Sequence, residues 1–201
     1  MAVNNIIFDI GNVLLSWEPD KIYTTLFNRK DFYSHPLSQI VGGPIWLDLD
    51  QGLLEFEEGI EKAVKGNEVF KEDIEMFFRN APNHFYPIQS TVDIAMGLKE
   101  EGKRIYLLSN FHKYGYGILK KRFPFFDTFD GGVISWDVKL NKPDRRIYEI
   151  ILSRYNLNPK ETVFIDDMEE NITAAEELGI KGIHFCRDTD LSVELKDLMA
   201  R

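Results

Sequence analysis

Short apolar runs rich in branched residues recur along this chain, and helical patterns separate most of them. Such runs are typical of strands that are buried on both faces of a sheet. The predicted strands are the first run, which ends in Ile6-Ile7-Phe8, and those at 104–109, 162–165 and 180–186. Helical patterns alternate with the later runs, at 90–102, 112–122, 143–151, 169–178 and 191–199. This alternation predicts an α/β fold with a mostly parallel sheet and right-handed crossovers.

The pattern changes between the first strand and residue 86. Apolar residues there recur at helical spacing, as in Phe56, Ile60 and Val64, and no strong strand pattern interrupts them. A proline at position 19 is typical of the first turn of a helix. We therefore predict a helical insertion at 17–86 that divides the core into the segments 1–16 and 87–201.

The composition of the chain limits the classes of function that it could have. The formal net charge of −9 is offset by no sizeable basic run, which argues against nucleic acid or an anionic membrane as a partner. The single cysteine, Cys186, excludes an intramolecular disulfide and a cysteine-based zinc cage, and its apolar run predicts burial. The first apolar run is too short for a signal peptide or membrane span. We expect a cytoplasmic enzyme, and the sequence gives no indication of its oligomeric state.

Polar residues stand at the ends of the predicted strands or just before helices. They are Asp9, followed by a glycine after one residue, then Ser109-Asn110, Lys142 and Asp166-Asp167. In an open parallel sheet, the carboxyl ends of the strands meet at the edge where ligands bind. Asp9 is thus a candidate nucleophile or metal ligand, although a strand-end aspartate can also simply cap a turn.

The charges of these residues favour a metal site. Two acids aimed at Asp9 would repel it by about 4 kcal/mol per close pair at an intermediate dielectric, and a divalent cation removes that conflict. Carboxylate and carbonyl oxygens are the ligands that Mg²⁺ prefers. Lys142 precedes a predicted helix, where a cation is disfavoured unless an anion is nearby. The alternatives are an aspartate that caps a helix and a solvated surface lysine.

The ordered set Asp9, Ser109, Lys142 and Asp166-Asp167 resembles the four motifs of the haloacid dehalogenase-like hydrolase superfamily. The stretches Phe-Asp-Ile-Gly-Asn-Val, Leu-Leu-Ser-Asn, Asn-Lys-Pro-Asp-Arg-Arg-Ile-Tyr and Asp-Asp-Met-Glu-Glu-Asn are similar to its glucose-1-phosphate phosphatase-like branch. The resemblance covers nearly the whole chain and gives the insertion the position of that family's cap. It implies a Rossmann-like three-layer core and Mg²⁺-dependent hydrolysis of a small phosphorylated metabolite, such as a sugar phosphate, through an aspartyl-phosphate.

The resemblance also implies roles for individual residues. Asp9 would be the nucleophile, and Asp9, the Gly11 backbone carbonyl and Asp166 would hold the metal. Phosphate would be bound by Ser109, Asn110 and Lys142, while Asp167 and Asn171 would support the site.

One position departs from the superfamily pattern. Most of its phosphatases carry a second aspartate two residues after the nucleophile, as general acid and base, and here that residue is Gly11. We therefore expect the leaving oxygen to depart without full protonation. His112 is a candidate proton donor or substrate contact, and equally a histidine at the start of a surface helix. Trp46 and Gln51 are candidates for the substrate entrance, although core packing and a turn explain them equally well.

Three other functions remain open. A metal-independent 2-haloacid dehalogenase-type hydrolase also uses an attacking aspartate, but unscreened acids at 166 and 167 would oppose its carboxylate substrate. A phosphoacceptor signalling domain uses similar residues, but in a different chain order and in a shorter chain. A non-catalytic phosphate-binding scaffold is compatible with the glycine at position 11.

Overall fold

The computed structural model of the chain describes residues 3–186 and 188–200, and these residues are built around one sheet. The strands are β1 (Asn5–Phe8), β2 (Arg104–Ser109), β3 (Gly131–Ile134), β4 (Thr162–Asp166) and β5 (Lys181–His184). The strand order is β3-β2-β1-β4-β5, and every neighbouring pair is parallel. The predicted α/β class and parallel sheet are therefore confirmed, with β1 at the centre.

Helices cover both faces of the sheet. The described residues form helices α1 (Pro19–Phe27), α2 (Leu37–Ile40), α3 (Pro44–Asp50), α4 (Phe56–Val64), α5 (Lys71–Asn80), α6 (Gln89–Glu100), α7 (Lys113–Arg122), α8 (Ser135–Val138), α9 (Arg145–Arg154), α10 (Glu169–Glu176) and α11 (Leu191–Ala200). Short 3-10 turns lie at Phe32–Ser34, Glu68–Phe70, Ala81–His84, Pro124–Thr128 and Pro159–Glu161. No helix in this part of the chain combines the length and the apolar character that a bilayer crossing requires.

Alternate residues of β1 enter different apolar clusters, as the two-residue period of a strand requires. Ile6 and Phe8 belong to a cluster that includes residues of α6, α7 and α11. Ile7 belongs to a second cluster, formed with residues of α9 and α10. These two clusters make the core a three-layer α/β/α arrangement.

Helices α1 to α5 have an apolar cluster of their own. Its most buried members include Tyr23, Leu37 and Phe77, and Trp17 packs against both this cluster and the first one. These helices therefore pack around an apolar cluster distinct from the two that cover the sheet. The division into a core and a helical insertion, with its exact boundaries, remains a prediction.

Two predicted helix starts are wrong by one or two residues. The helix predicted from residue 90 begins one residue earlier, because α6 begins at Gln89. The helix predicted from Pro143 begins two residues later. Helix α9 begins at Arg145, where the Asp144 side chain accepts a hydrogen bond from the Arg146 backbone N–H at 2.9 Å. The Asp144 side chain thereby supplies an acceptor for one of the backbone N–H groups that have no partner within the first turn of α9. The helix therefore begins directly after Asp144.

The predicted burial of Cys186 is also wrong. Strand β5 ends at His184, so Cys186 lies beyond the sheet and its side chain is exposed. The apolar pattern continued past the point at which strand pairing stops.

The contact between α3 and α4 depends on a glycine. A Cβ atom at Gly59 would lie 2.6 Å from Leu49 Cδ2, and Leu49 is buried. At Gly97 in α6, by contrast, a Cβ atom would meet nothing within 4 Å.

These two glycines should respond oppositely to alanine. Gly59→Ala should lower the free energy of unfolding, since overpacking of about 1–3 kcal/mol outweighs a gain in helix propensity of about 1 kcal/mol. Gly97→Ala should raise it by about 0.5–1 kcal/mol, because only the gain remains. Urea unfolding of both variants measures the difference, and shifts of the same sign would contradict the packing argument.

Candidate active site

Polar side chains from separate segments of the chain converge at the carboxyl edge of the sheet. Asp9 follows β1, Ser109 ends β2, and Lys142 comes from the segment between α8 and α9. They line a cavity of about 260 Å³. Asp167, just after β4, lines the same cavity, while Asp166 is fully buried beside it. The convergence that the sequence predicts is therefore present.

A buried ammonium group lies at the centre of this site. Lys142 Nζ is 2.9 Å from Asp9 Oδ1 and 2.5 Å from Asp166 Oδ2, and it donates a hydrogen bond to the Leu108 carbonyl at 3.0 Å. Burial alone would lower the pKa of Lys142, but Asp166 and Asp9 outweigh it and raise that pKa. The ammonium therefore stays charged, and the interpretation as a solvated surface lysine is wrong.

Asn110 fixes the position of this lysine. Its Nδ2 donates to the Lys142 carbonyl at 3.0 Å, and its Oδ1 accepts from the Lys142 backbone N–H at 2.7 Å. Asn110 also lines the cavity, so the predicted phosphate contact would use the second hydrogen of Nδ2. Its observed contacts make Asn110 a clamp on the lysine segment.

Asp166 is held from two sides. Its Oδ2 is paired with Lys142, and its Oδ1 accepts hydrogen bonds from the Met168 backbone N–H at 2.8 Å and from Asn171 Nδ2 at 2.9 Å. Asn171 therefore contacts Asp166 directly, and its role in supporting the site stays a prediction. Asp166 is not the N-cap of α10, because that position is Met168.

Asp167 is oriented by Asn12, a residue that sequence reasoning missed. Asn12 Nδ2 donates to Asp167 Oδ2 at 3.0 Å, and Asn12 Oδ1 accepts from the Trp17 backbone N–H at 2.8 Å. Asn12 has a φ of 53°. Asparagine tolerates this left-handed conformation better than most residues, so a Gly-Asn pair directly after a strand was the available signal.

The carboxylates of Asp9, Asp166 and Asp167 form a compact acidic group. Each offers an oxygen, and these oxygens lie within 4.8 Å of one another. Burial raises the pKa of Asp9, Lys142 opposes the rise, Asp166 adds to it, and the Ser109 hydroxyl opposes it. Burial likewise raises the pKa of Asp167. Three carboxylates and one ammonium carry a net charge of −2 when ionised, so the group holds more negative charge than its own lysine neutralises.

This donor set fits a hard divalent cation. Asp9 and Asp167 line the cavity, and beyond the ion pair with Lys142, Asp9 Oδ1 has no hydrogen-bond partner among the described residues. Asp166 lies next to both acids, with Oδ2 paired to Lys142 and Oδ1 held by Met168 and Asn171. Mg²⁺ prefers one or two such carboxylates together with water and phosphate oxygens.

The space beside Gly11 is open. Gly11 lines the cavity, and a Cβ atom at this position would meet nothing within 4 Å. The chain therefore has room for a carboxyl group here but does not carry one.

His112 also lines the cavity, but its ring caps a helix. Its Nδ1 accepts from the Gly115 backbone N–H at 3.2 Å, at the start of α7. Burial lowers the pKa of His112 to about 4. The imidazole is therefore neutral at pH 7 and is a poor proton donor.

The two candidates from the helical insertion differ. Trp46 lines the cavity and stacks on Trp17, with ring centroids 5.7 Å apart. Gln51 is not among the described residues that line the cavity, and its Nε2 donates to the Lys139 carbonyl at 2.8 Å. The structure therefore brings Trp46 to the site, and Gln51 to the contact between the insertion and the core.

A third carboxyl group lines the cavity, after Asp9 and Asp167, and it was also missed by sequence reasoning. Asp50, the last residue of α3, is buried there. An acid just before Gln51-Gly52 was the available signal, and it is typical of any helix end. The direction in which α3 faces depends on how the insertion packs, which no local pattern predicts.

Comparisons with known proteins agree with this geometry. The family model for haloacid dehalogenase-like hydrolase matches residues 3–179. A sesquiterpene phosphatase from Aspergillus oryzae is 28% identical over 198 residues, which cover 96% of this chain and 95% of that protein. A D-ribitol-5-phosphate phosphatase from Bacteroides thetaiotaomicron is 24% identical, over 89% of this chain and 90% of its own.

A solved structure gives the same result. The structure of a family enzyme from Bacteroides thetaiotaomicron, in complex with magnesium and inorganic phosphate, superposes with a TM-score of 0.77 and 25% identity. The superposition covers 96% of this chain and 98% of that one. The family match, the parallel sheet and the convergent acidic site together show that this chain is a hydrolase of the haloacid dehalogenase-like family.

Proposed function

We propose that the protein is a Mg²⁺-dependent phosphatase that hydrolyses a small phosphate monoester through an aspartyl-phosphate intermediate. The observation that carries this proposal is the convergence of three carboxylates on one buried ammonium at the sheet edge. Two relatives named as phosphatases, and a solved relative that holds magnesium and phosphate, support it.

The residues present divide the chemistry between them. A carboxylate oxygen of Asp9 attacks phosphorus, and the ester P–O bond breaks with its electron pair passing to the leaving oxygen. Water then attacks the phosphorus of the aspartyl-phosphate, which releases phosphate and restores the Asp9 carboxylate. Lys142 and the Ser109 hydroxyl hold the phosphoryl oxygens.

The metal would be held by Asp9, Asp166 and the Gly11 carbonyl, with Asp167 and Asn171 in support. When bound there, Mg²⁺ offsets the charge of the transferring phosphoryl group. The Lys142 ammonium supplies the remaining positive charge, and Asn110 keeps that lysine in place.

The cavity wall favours an ester of an apolar alcohol over a sugar phosphate. Its apolar members are Trp17, Trp46, Ala81, Pro82 and Phe85 from the insertion, Phe111 from the loop after β2 and Met168 from the residues after β4. The hydroxyl groups of a polyol would lose hydrogen bonds to water along such a wall and find no partners there. An alkyl or aryl group would instead gain free energy of binding when the wall removes it from water. We infer that residues 17–86 act as a cap that selects the substrate.

Replacement of Asp9 by asparagine tests the nucleophile. Asp9→Asn should reduce kcat by at least about 10³-fold, because an amide is a poor attacking group. Phosphate release from 4-nitrophenyl phosphate measures this, with the exposed Asp93→Asn as a matched control. A near-native rate in Asp9→Asn would exclude the assignment. Lack of phosphate release by the unaltered protein would instead favour a phosphate-binding scaffold.

The metal requirement is tested at Asp166. Asp166→Asn should raise the Mg²⁺ concentration for half-maximal activity by at least about tenfold and lower the maximal rate, since a charged ligand is lost. Circular dichroism checks that the fold survives loss of the contact with Lys142. Activity that persists in excess chelator would argue for the metal-independent dehalogenase type of reaction.

The cap hypothesis is tested at the aromatic wall. Trp17→Leu should reduce kcat/KM for benzyl or prenyl phosphates by about tenfold or more while sugar phosphates change little, because apolar contact area is lost. Gln39→Ala, at an exposed position of α2 outside the described cavity lining, should leave the ranking of esters unchanged. If Trp17→Leu affects all esters equally, the wall does not select the substrate.

A further inference from the structure

The geometry points to Asp50, at the end of α3, as the general acid that protonates the leaving oxygen in place of the carboxyl group that Gly11 lacks. This inference rests on the proposed phosphatase function and adds a catalytic residue to it. The family pattern places the acid on the loop of the nucleophile. Here the acid comes from the helical insertion.

Asp50 lies in the reaction cavity. It lines the same cavity as Asp9, Ser109 and Lys142, and it is only 8% exposed. Its carboxyl group has polar contacts with the Trp46 indole and with the His112 backbone N–H. Asp50 therefore shares one cavity of about 260 Å³ with the proposed nucleophile and the proposed phosphate-binding side chains.

Hydrogen bonds to the core hold Asp50 in position. The Ser135 hydroxyl donates to the Asp50 carbonyl and accepts from the Phe111 backbone N–H, the latter at 2.9 Å. Phe111 is only two residues from Ser109. The Ser135 hydroxyl therefore connects the end of α3 to the loop that we propose binds phosphate. A catalytic group on an insertion needs such a fixed link, because a displacement of about 1 Å can reduce a rate by about 10²-fold.

Neighbouring residues extend this link. Asn141 Nδ2 donates to the Leu47 carbonyl at 3.0 Å, and Gln51 Nε2 donates to the Lys139 carbonyl at 2.8 Å. Both carbonyl contacts join α3 or the residue after it to the segment that leads to Lys142. Gln51 thereby acts as a positioning residue for Asp50.

The environment keeps Asp50 protonated. Burial raises its pKa to about 8, and the contacts with the His112 backbone and Trp46 reverse this only in part. The charged groups that share its cavity are Asp9, Asp167 and Lys142, and the nearby His112 ring is neutral. A carboxyl group that is neutral at pH 7 carries the proton that general acid catalysis requires.

The step balances without an added reactant. As the bond from Asp9 to phosphorus forms and the ester P–O bond breaks, the Asp50 proton passes to the leaving oxygen and yields a neutral alcohol. Asp50 is then a carboxylate. It takes a proton from the water that attacks the aspartyl-phosphate, which returns Asp50 to its acid form and frees Asp9.

The test compares leaving groups of graded pKa. Asp50→Asn should reduce kcat/KM for alkyl phosphates by about 10²–10⁴-fold and for 4-nitrophenyl phosphate by less than about threefold, since only a poor leaving group needs the proton. The matched control is Asp48→Asn, on the same helix but outside the described cavity lining, and it should behave as wild type.

Wild-type enzyme alone gives a second measurement, independent of whether the variant folds. If Asp50 protonates the leaving oxygen, we expect kcat/KM to depend only weakly on leaving-group pKa. If no group replaces the acid missing at Gly11, we expect a steep dependence. For an alkyl ester, wild-type kcat/KM should also fall about tenfold per pH unit above about pH 8, as Asp50 loses its proton. A steep wild-type slope would overturn the inference.

Unfolding reports the protonation state without any catalysis. The unfolded chain releases the Asp50 proton near pH 4, and the folded chain releases it only near pH 8. The folded state therefore binds the extra proton between these values, so its stability falls as pH rises through this window. Relative to Asp50→Asn, the wild-type urea midpoint should decrease from pH 5 to pH 8, and parallel midpoints would count against a protonated Asp50.

The two proposals fail differently. A uniform loss in Asp50→Asn across all leaving groups would show a structural role and overturn this inference alone. Full activity of Asp9→Asn, or no phosphate release by the wild-type protein, would overturn the phosphatase itself.

Discussion

The buried ammonium of Lys142 is the interaction on which the site depends. Two carboxylates on neighbouring strands at an intermediate dielectric repel by about 4 kcal/mol at close range, and both Asp9 and Asp166 are buried. Lys142 Nζ contacts both, at 2.9 and 2.5 Å. Without it, burial would force at least one acid to keep its proton, and a protonated Asp9 cannot attack phosphorus. The lysine therefore favours the charged form of Asp9, the proposed nucleophile, and it would also bind a phosphoryl group placed beside that residue.

Strand register explains why these groups meet. In the parallel sheet, Phe8 is level with Ile165 on one side and with Leu107 on the other. The next residue of each flanking strand, β2 and β4, is therefore level with Asp9. This places Asp166 beside Asp9, and Ser109 follows one residue further along β2. A shift of one residue would reverse the faces of each strand and separate the acids. The same pairing that buries the sheet thus assembles the site.

The sequence predicted those parts of the site that follow strand ends. The positions of Asp9, Ser109 and Asp166 depend on local apolar runs and on the rule for parallel sheets, and both act over short distances. Asp50 and Asn12 were missed for different reasons. Asp50 reaches the cavity only through the packing of the insertion against residues 135–141, which are more than eighty positions away. Asn12 acts through a left-handed conformation that its residue type permits but does not require.

The arrangement separates two kinds of carboxyl group by environment. Burial is the largest influence on both groups and raises the pKa of each. At Asp9 the Lys142 ammonium and the Ser109 hydroxyl oppose the rise and favour the charged form, whereas at Asp50 the opposition comes from the His112 backbone and Trp46. A phosphatase needs both states at one pH, because one acid must attack and another must give up a proton. When the acid belongs to the loop of the nucleophile, leaving-group protonation is independent of the cap. With the acid at the end of α3, the helix whose Trp46 shapes the cavity wall also supplies the proton. Substrates that the wall accommodates poorly would then lose binding and protonation together, which couples specificity to the chemical step.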